Sequence, residues 1–294
     1  MTAKYLSSKD PDTILFRFFM SALKYLDKLG VYIMYLNMKT LSLLFLFCVF
    51  LGACIHSADV TKTPKDTLVV AVSLEPKRLN PLFVTDSISH SISSLIFRGL
   101  TRLKEDLTIE GDLSVRWEIK DGGRVVIFHL RDGVFWHDMS PFTADDVVFT
   151  CRLLMSKDST SAYSQRFSNI SEIKALDSKT IFIRYRKPYG SILESWTIGI
   201  LPRHIFERKD INQRETLDTL IGTGPFKIDK WINGQSIRLL ANHLFYGEKP
   251  LYKSLHIRII PDETTQILEF KNGAVDVFEV SVNQYRALTK DKFY

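Results

Sequence analysis

Residues 124–150 read Arg124-Val-Val-Ile-Phe-His-Leu-Arg-Asp-Gly-Val-Phe-Trp-His-Asp-Met-Ser-Pro-Phe-Thr-Ala-Asp-Asp-Val-Val-Phe-Thr150, and their texture changes once. Arg124 to Leu130 is dense in β-branched and aromatic residues, as a strand requires, and Arg131-Asp132-Gly133 is a turn. Thr143-Ala-Asp-Asp146 then forms a near capping box. The threonine hydroxyl is placed to accept the Asp146 amide, and the two carboxylates sit at the positive end of a helix dipole. Val147, Val148, Cys151, Leu154 and Met155 continue at helical spacing. A strand passing through a turn into a separately capped helix predicts a mixed α/β chain.

Working toward the amino terminus, Val115–Ile119 joins the 124–130 strand across Asp121-Gly122-Gly123, where glycines supply the positive φ of a tight hairpin. Asp86 predicts the cap of a helix carrying Ile88, Ile92, Leu95 and Ile96, stopped at Gly99. Thr67–Ser73 is a continuous β-branched run suited to a buried strand. Toward the carboxyl terminus, Ile173–Leu176 and Thr180–Tyr185 form a β pair closed by Pro188, and Leu201-Pro202 starts a short helix with proline at its first position. Phe226–Ile232 and Ser236–Ala241 make a hairpin across Asn233-Gly234. A strand (Leu255–Ile260), a helix (Glu263–Lys271), a strand (Val275–Glu279) and a helix start at Ser281 follow, in the spacing of a βαβ unit.

The 294 residues are 45% hydrophobic, 24% charged and 12% aromatic, ordinary globular usage that excludes disorder and a polytopic membrane protein. The net charge of +6 falls to +3 once Met1–Ala53 is set aside, too little for a nucleic-acid-binding surface. Leu41 to Ala53 is apolar, follows Lys39, and is too short for a spanning helix but right for a signal-peptide core. A single span from Val31 to Ala53 would carry Lys39 near its middle, at a cost of about 2.5–3.5 kcal/mol. Leu51-Gly-Ala-Cys54 resembles the bacterial lipobox, which implies cleavage before a lipid-modified Cys54. Met38-Lys39 has the form of a natural start, making residues 1–37 an expected annotation extension.

Cys48, Cys54 and Cys151 provide no disulfide framework or zinc spacing, and Cys151 lies on the apolar stripe of its helix. Gly222-Thr-Gly224-Pro225 leads into a strand rather than a helix, so it is no phosphate cradle. His129, His137, His204, His243 and His256 have no HExxH or i,i+4 arrangement, and no GxSxG elbow occurs. The expectation is a protein that is not an enzyme, with no cofactor and no metal site.

The order of motifs resembles the extracellular solute-binding proteins, family 5, of peptide and nickel ABC importers. The matching segments are Leu79-Asn80-Pro81, Ile96 to Leu100, Leu113 to Gly123, Phe128 to Asp138, Phe142 to Thr150, Gly222 to Phe226 with Trp231, and Asn272 to Asp276. Met139 stands where the family has glycine, so that turn is expected to use another geometry, and Asn242 to Tyr246 matches only loosely. Trp117, Phe128, Trp136 and Trp231 are expected as core anchors rather than ligand contacts.

The resemblance implies a periplasmic-binding-protein-like α/β fold of class II: an incomplete lobe one (67–82 and 187–280), an α+β domain inserted at 83–186, and the start of a hinge at 281–294, with a second lobe missing. A signal peptide (38–53) and a linker (54–66) precede these. It further implies a monomer in the periplasm or cell envelope, held to the membrane by lipid on Cys54. That protein would bind oligopeptides or dipeptides for an ABC permease, and not nucleic acid. A truncated, non-transporting remnant or scaffold is the alternative, and nickel or haem binding a minor one. Binding by strand addition needs little side-chain chemistry. The positions the resemblance marks for ligand contact are Ser73, Leu74, Glu75 and Tyr163.

Overall fold

A computed structural model describes residues 66–281 together with 284 and 285. The leader, the lipobox with Cys54 and most of the linker lie outside the described residues.

In chain order the elements are β1 (Thr67–Val72), α1 (Ser87–Ile96), β2 (Thr101–Leu103), β3 (Ile109–Gly111), β4 (Ser114–Lys120), β5 (Val125–Leu130), α2 (Ala144–Met155), α3 (Ser164–Phe167), β6 (Ile170–Ala175) and β7 (Thr180–Tyr185). After these come α4 (Ile192–Ser195), α5 (Arg203–Phe206), β8 (Phe226–Ile232), β9 (Ser236–Ala241), β10 (Ser254–Ile259), α6 (Glu263–Lys271) and β11 (Val277–Phe278). They build a five-stranded sheet in the order β11-β1-β10-β9-β8, an antiparallel sheet β4-β5-β7-β6, and the small pair β2-β3. β1 runs parallel to both β10 and β11, with Val70 opposite Ile257 on one side and Val277 on the other. The β10–α6–β11 unit therefore places β1 between its two strands.

The sequence accounts for most of these boundaries. Asp86 caps α1 by accepting the Ser89 amide at 2.8 Å. Thr143 and Asp146 close the capping box of α2. Gly234 takes φ 69° in the β8–β9 turn. Three local expectations need correction. α1 ends at Ile96, three residues before Gly99, because the Phe97 amide closes on Ser93 and Phe97 turns extended. Pro202 is the N-cap of α5, one position earlier than expected. Met139 keeps the left-handed geometry of a glycine turn, with φ 75°, and its side chain points to solvent, where the local cost is about 1–2 kcal/mol.

One buried cluster runs from α1 through both larger sheets. Its centre is aromatic: Trp196 meets Phe128 and Phe167 edge-on at 5.9 and 5.2 Å, and its indole N–H donates to the Tyr185 hydroxyl at 3.1 Å. Trp136 and Phe128 are fully buried; Trp117 and Trp231 are half-buried against the same core.

Two buried carboxylates fasten loops to this core. Asp146 accepts the Thr143 and Arg203 amides, each at 2.9 Å, so one side chain caps α2 and holds the start of α5. Glu215, with a side chain 1% exposed, accepts Arg78 Nε at 2.6 Å and the amides of Leu79 and Asn80.

His137 clamps the 222–224 loop. Its amide donates to the Gly222 carbonyl at 2.9 Å, the Gly222 amide donates to Nδ1 at 3.2 Å, and Nε2 meets the Gly224 carbonyl at 3.1 Å. The loop in turn closes the end of α1, the Gly224 amide donating to Ile96 at 2.8 Å. The ring must therefore be neutral: one nitrogen accepts and the other donates. Burial pulls its pKa from 6.5 to about 4; Lys227 adds to the lowering, while the Gly224 carbonyl and Asp138 oppose it. Since the folded value lies below the unfolded one, the clamp's contribution is complete above about pH 6.5 and is lost as the pH falls toward 4. Thermal unfolding followed by circular dichroism should show the midpoint dropping across that window. His137→Gln should cost about 1–3 kcal/mol at pH 7 and flatten that drop; an unchanged slope would refute the assignment.

Candidate binding groove

β1 is the middle of three parallel strands, and ligands of open α/β sheets bind beyond the carboxyl ends of such strands. That end of β1 leads into Ser73, Leu74 and Glu75. β11 pairs only with Val70 and Ala71, leaving the edge beyond them uncovered. Among the described residues, no partner takes the main-chain N–H or C=O groups of Ser73, Leu74 or Glu75.

Ser73 borders a groove of about 790 Å³. One wall is the apolar side of α1 (Ile88, Ile92, Leu95), and the other is the sheet face formed by Val70, Ile257 and Val277. The strand register puts these three side by side, because Val70 is opposite both Ile257 and Val277. α6 covers the other face of β1. There Val69 and Ala71 join Ile260 and Val275 in a small separate core, Phe270 meets Phe278 at 5.1 Å, and Glu269 pairs with Arg258 at 2.7 Å.

Leu74 is 67% exposed. Glu75 is half-buried, and its Oε1 accepts the Trp231 indole N–H at 2.9 Å. Arg214 lies 5.8 Å above the Trp231 ring. Trp231 thus packs on the core and also orients the segment after β1.

Tyr163 is elsewhere. Its hydroxyl donates to the Val84 carbonyl at 2.8 Å, Arg166 stacks 5.0 Å from its ring, and it borders a second cavity of about 440 Å³ with His90, Tyr189 and Glu194. That cavity uses Ser93, Ser94 and Phe97, the side of α1 opposite the groove. The structure therefore brings Ser73, Leu74 and Glu75 together and leaves Tyr163 across α1 from them. Trp231 and Glu215, which hold the segments after β1, are additional residues of the site's support. The Trp231 contact spans 156 positions, and only its place in a recurring motif pointed to it.

Reactive chemistry is sparse. Cys151 is buried against Met155, and burial pushes its thiol up to about 12, so it is no nucleophile at neutral pH. Among the described residues, no three His, Cys, Asp or Glu side chains form a metal-holding group, and no helix is long and apolar enough to cross a membrane.

Comparison with known proteins identifies this arrangement. Residues 108–294 match the family model described as bacterial extracellular solute-binding proteins, family 5 Middle. The oligopeptide-binding protein AppA of Bacillus subtilis is 30% identical over 274 residues, covering 86% of this chain and 49% of AppA. The crystal structure of AppA with a nonapeptide superposes with a TM-score of 0.73 at 27% identity, covering 77% of this chain and 46% of that one. NikZ from Campylobacter jejuni, in complex with Ni(L-His), gives 0.72 at 34% identity over 78% and 46%. The chain spans about half the length of the curated relatives it matches.

The Glu75–Trp231 bond gives a direct test of how the groove edge is held. Trp231→Phe and Glu75→Ala should each lower stability by about 1–2 kcal/mol in urea denaturation. A double-mutant cycle should return a coupling of about 1 kcal/mol. Strict additivity would mean that the indole does not position Glu75.

Proposed function

Because the chain belongs to the bacterial extracellular solute-binding proteins of family 5, we propose that it is the substrate-binding component of an ABC importer, taking oligopeptides or dipeptides outside the cytoplasmic membrane and delivering them to a permease. The observation that carries this reading is the run of main-chain donors and acceptors at Ser73–Glu75 that have no partner among the described residues, beside a groove at the carboxyl end of parallel strands. An extended peptide satisfies such groups by adding as a strand, drawing affinity from its own backbone. That mode tolerates many side chains and needs no catalytic group. Two of the similar structures hold peptide ligands, a nonapeptide in AppA and STSA in DppA from Helicobacter pylori.

In this reading Ser73, Leu74 and Glu75 contact the peptide main chain, and Tyr163, which lines the separate cavity across α1, does not reach it. Cys54 carries a lipid that keeps the protein at the outer surface of the membrane, in the periplasm or cell envelope. It works as a monomer that hands its ligand to the permease.

Two measurements test the proposal separately. Metabolic labelling with palmitate should mark the wild type and vanish in Cys54→Ala; label persisting in the variant refutes the lipid site. In a thermal-shift screen of the purified chain, a bound short peptide at a hundred times its Kd should stabilise by about 2.7 kcal/mol, raising the melting temperature by several degrees. No shift with any peptide at millimolar concentration would refute solute binding by this chain alone.

A further inference from the structure

We propose that β4 is a self-association edge: two copies of this chain pair antiparallel along it, related by a two-fold axis at Trp117. The pairing is independent of what the groove holds, because the groove belongs to the five-stranded sheet and β4 to the four-stranded one.

β4 stands at one end of the β4-β5-β7-β6 sheet, so among the described residues only β5 pairs with it. The direction of its main-chain groups follows from β5. The Tyr185 amide donates to the Arg124 carbonyl at 2.7 Å and the Leu130 amide to the Lys179 carbonyl at 2.8 Å. Even-numbered residues of this segment therefore turn their main chain toward β7, while Val125, Ile127 and His129 turn theirs toward β4. The register sets those three against Lys120, Glu118 and Arg116. The N–H and C=O groups of Trp117 and Ile119 thus point off the sheet, and no described residue takes them. Along the same edge Val115 and Ile119 are 52% and 51% exposed, and Trp117, whose ring lies 6.3 Å from that of Phe128, is half-buried. An open edge lined with apolar side chains is a template for another strand.

The charges of the strand identify that other strand as a second β4. Edges are commonly guarded by charge, and like charges set opposite each other repel. This edge carries both signs, in an order that a two-fold axis matches: Val115-Arg116-Trp117-Glu118-Ile119. With Trp117 opposite Trp117, Arg116 of each copy faces Glu118 of the other, and Val115 comes near Ile119. The outward groups of Trp117 then meet their own equivalents, as an isologous contact requires. A centre one residue along would set Glu118 against itself and Arg116 against Lys120, so charge selects the register. Glu118 already gathers Arg116 at 3.1 Å, Lys120 at 2.8 Å and His129 at 3.0 Å on its own sheet, which holds the charged row in place. The bulge between Ser114 and Arg116 bends the strand and confines the regular ladder to the residues around Trp117. One short strand from each copy makes a small interface, and small interfaces are transient. The single chain therefore remains the unit that carries solute, and the pairing is a reversible association of such units.

The test is sedimentation equilibrium of the purified full chain in density-matched detergent, with the fold of each variant checked by circular dichroism. The wild type should dimerise reversibly at micromolar concentration. Arg116→Glu makes positions 116 and 118 both negative, and Glu118→Arg makes both positive. Each variant alone should dimerise about tenfold more weakly or worse, since two attractive cross-strand pairs become two repulsive ones. An equimolar mixture of the two should associate as the wild type does, and so should the double variant carrying both changes. Ile119→Pro removes an outward N–H at a place where an edge strand tolerates proline, and should leave the chain folded and monomeric. A wild type that stays a single chain at several hundred micromolar would overturn the proposal. So would single variants that associate like the wild type, a mixture no better than either variant alone, or association that survives Ile119→Pro.

Discussion

A side chain at residue 222 has nowhere to go: a β-carbon built there would stand 1.8 Å from the carbonyl oxygen of Ile96, and one at 224 would stand 2.3 Å from that of Leu95. This close approach lets a loop between the two halves of the fold close the end of α1, and His137 holds the loop from the other side. α1 separates the groove from the Tyr163 cavity, so the shape of both depends on where that helix stops. Thr223, between the two glycines, is buried with its hydroxyl unpartnered. The loop is thus held by its backbone rather than by its side chains.

The same economy appears in the two buried carboxylates. Asp146 and Glu215 each bind main-chain amides more than fifty residues away in sequence. Burial raises the Asp146 pKa, and the amides of Thr143 and Arg203 oppose that rise. Charges placed this way fix where one segment meets another, in a chain whose reactive chemistry is otherwise sparse. Hydrogen bonds to backbone suit that task because they survive substitution of the residues they bind.

Elements set by local rules were legible in the sequence. The β8–β9 hairpin and the capped start of α2 follow from Asn233-Gly234 and Thr143, whose turn and cap chemistry acts within four residues. The parallel pairing of β1 with β10 and β11 was not readable residue by residue, since register arises from contacts about two hundred positions apart. Met139 shows a limit of a different kind. The residue suggested a turn other than a glycine's, yet it takes φ 75°, in the left-handed region that favours glycine, with the Met139 amide closing on the Trp136 carbonyl and that of Ser140 on the Asp138 carboxylate. Of the candidate site, the Ser73–Glu75 segment could be marked in advance because the family resemblance points to the residues that follow the first strand. The separation of Tyr163 from it could not, because that depends on which side of α1 each residue meets.

Parallel strands give the molecule a polarity that its separate parts do not have. β1 begins beside the β9–β10 loop, where Lys253 bonds to Asp66, and runs along the groove to the main-chain groups of Ser73–Glu75 that have no partner among the described residues. An antiparallel partner on either side would have brought a turn to the groove end and covered those groups. Instead β10 continues past Ile260, whose amide takes the Val72 carbonyl, and turns into α6 on the opposite face, while β11 arrives from α6 and pairs for only two residues. The groove edge is open because both neighbours of β1 run in its own direction and leave the sheet at the same level.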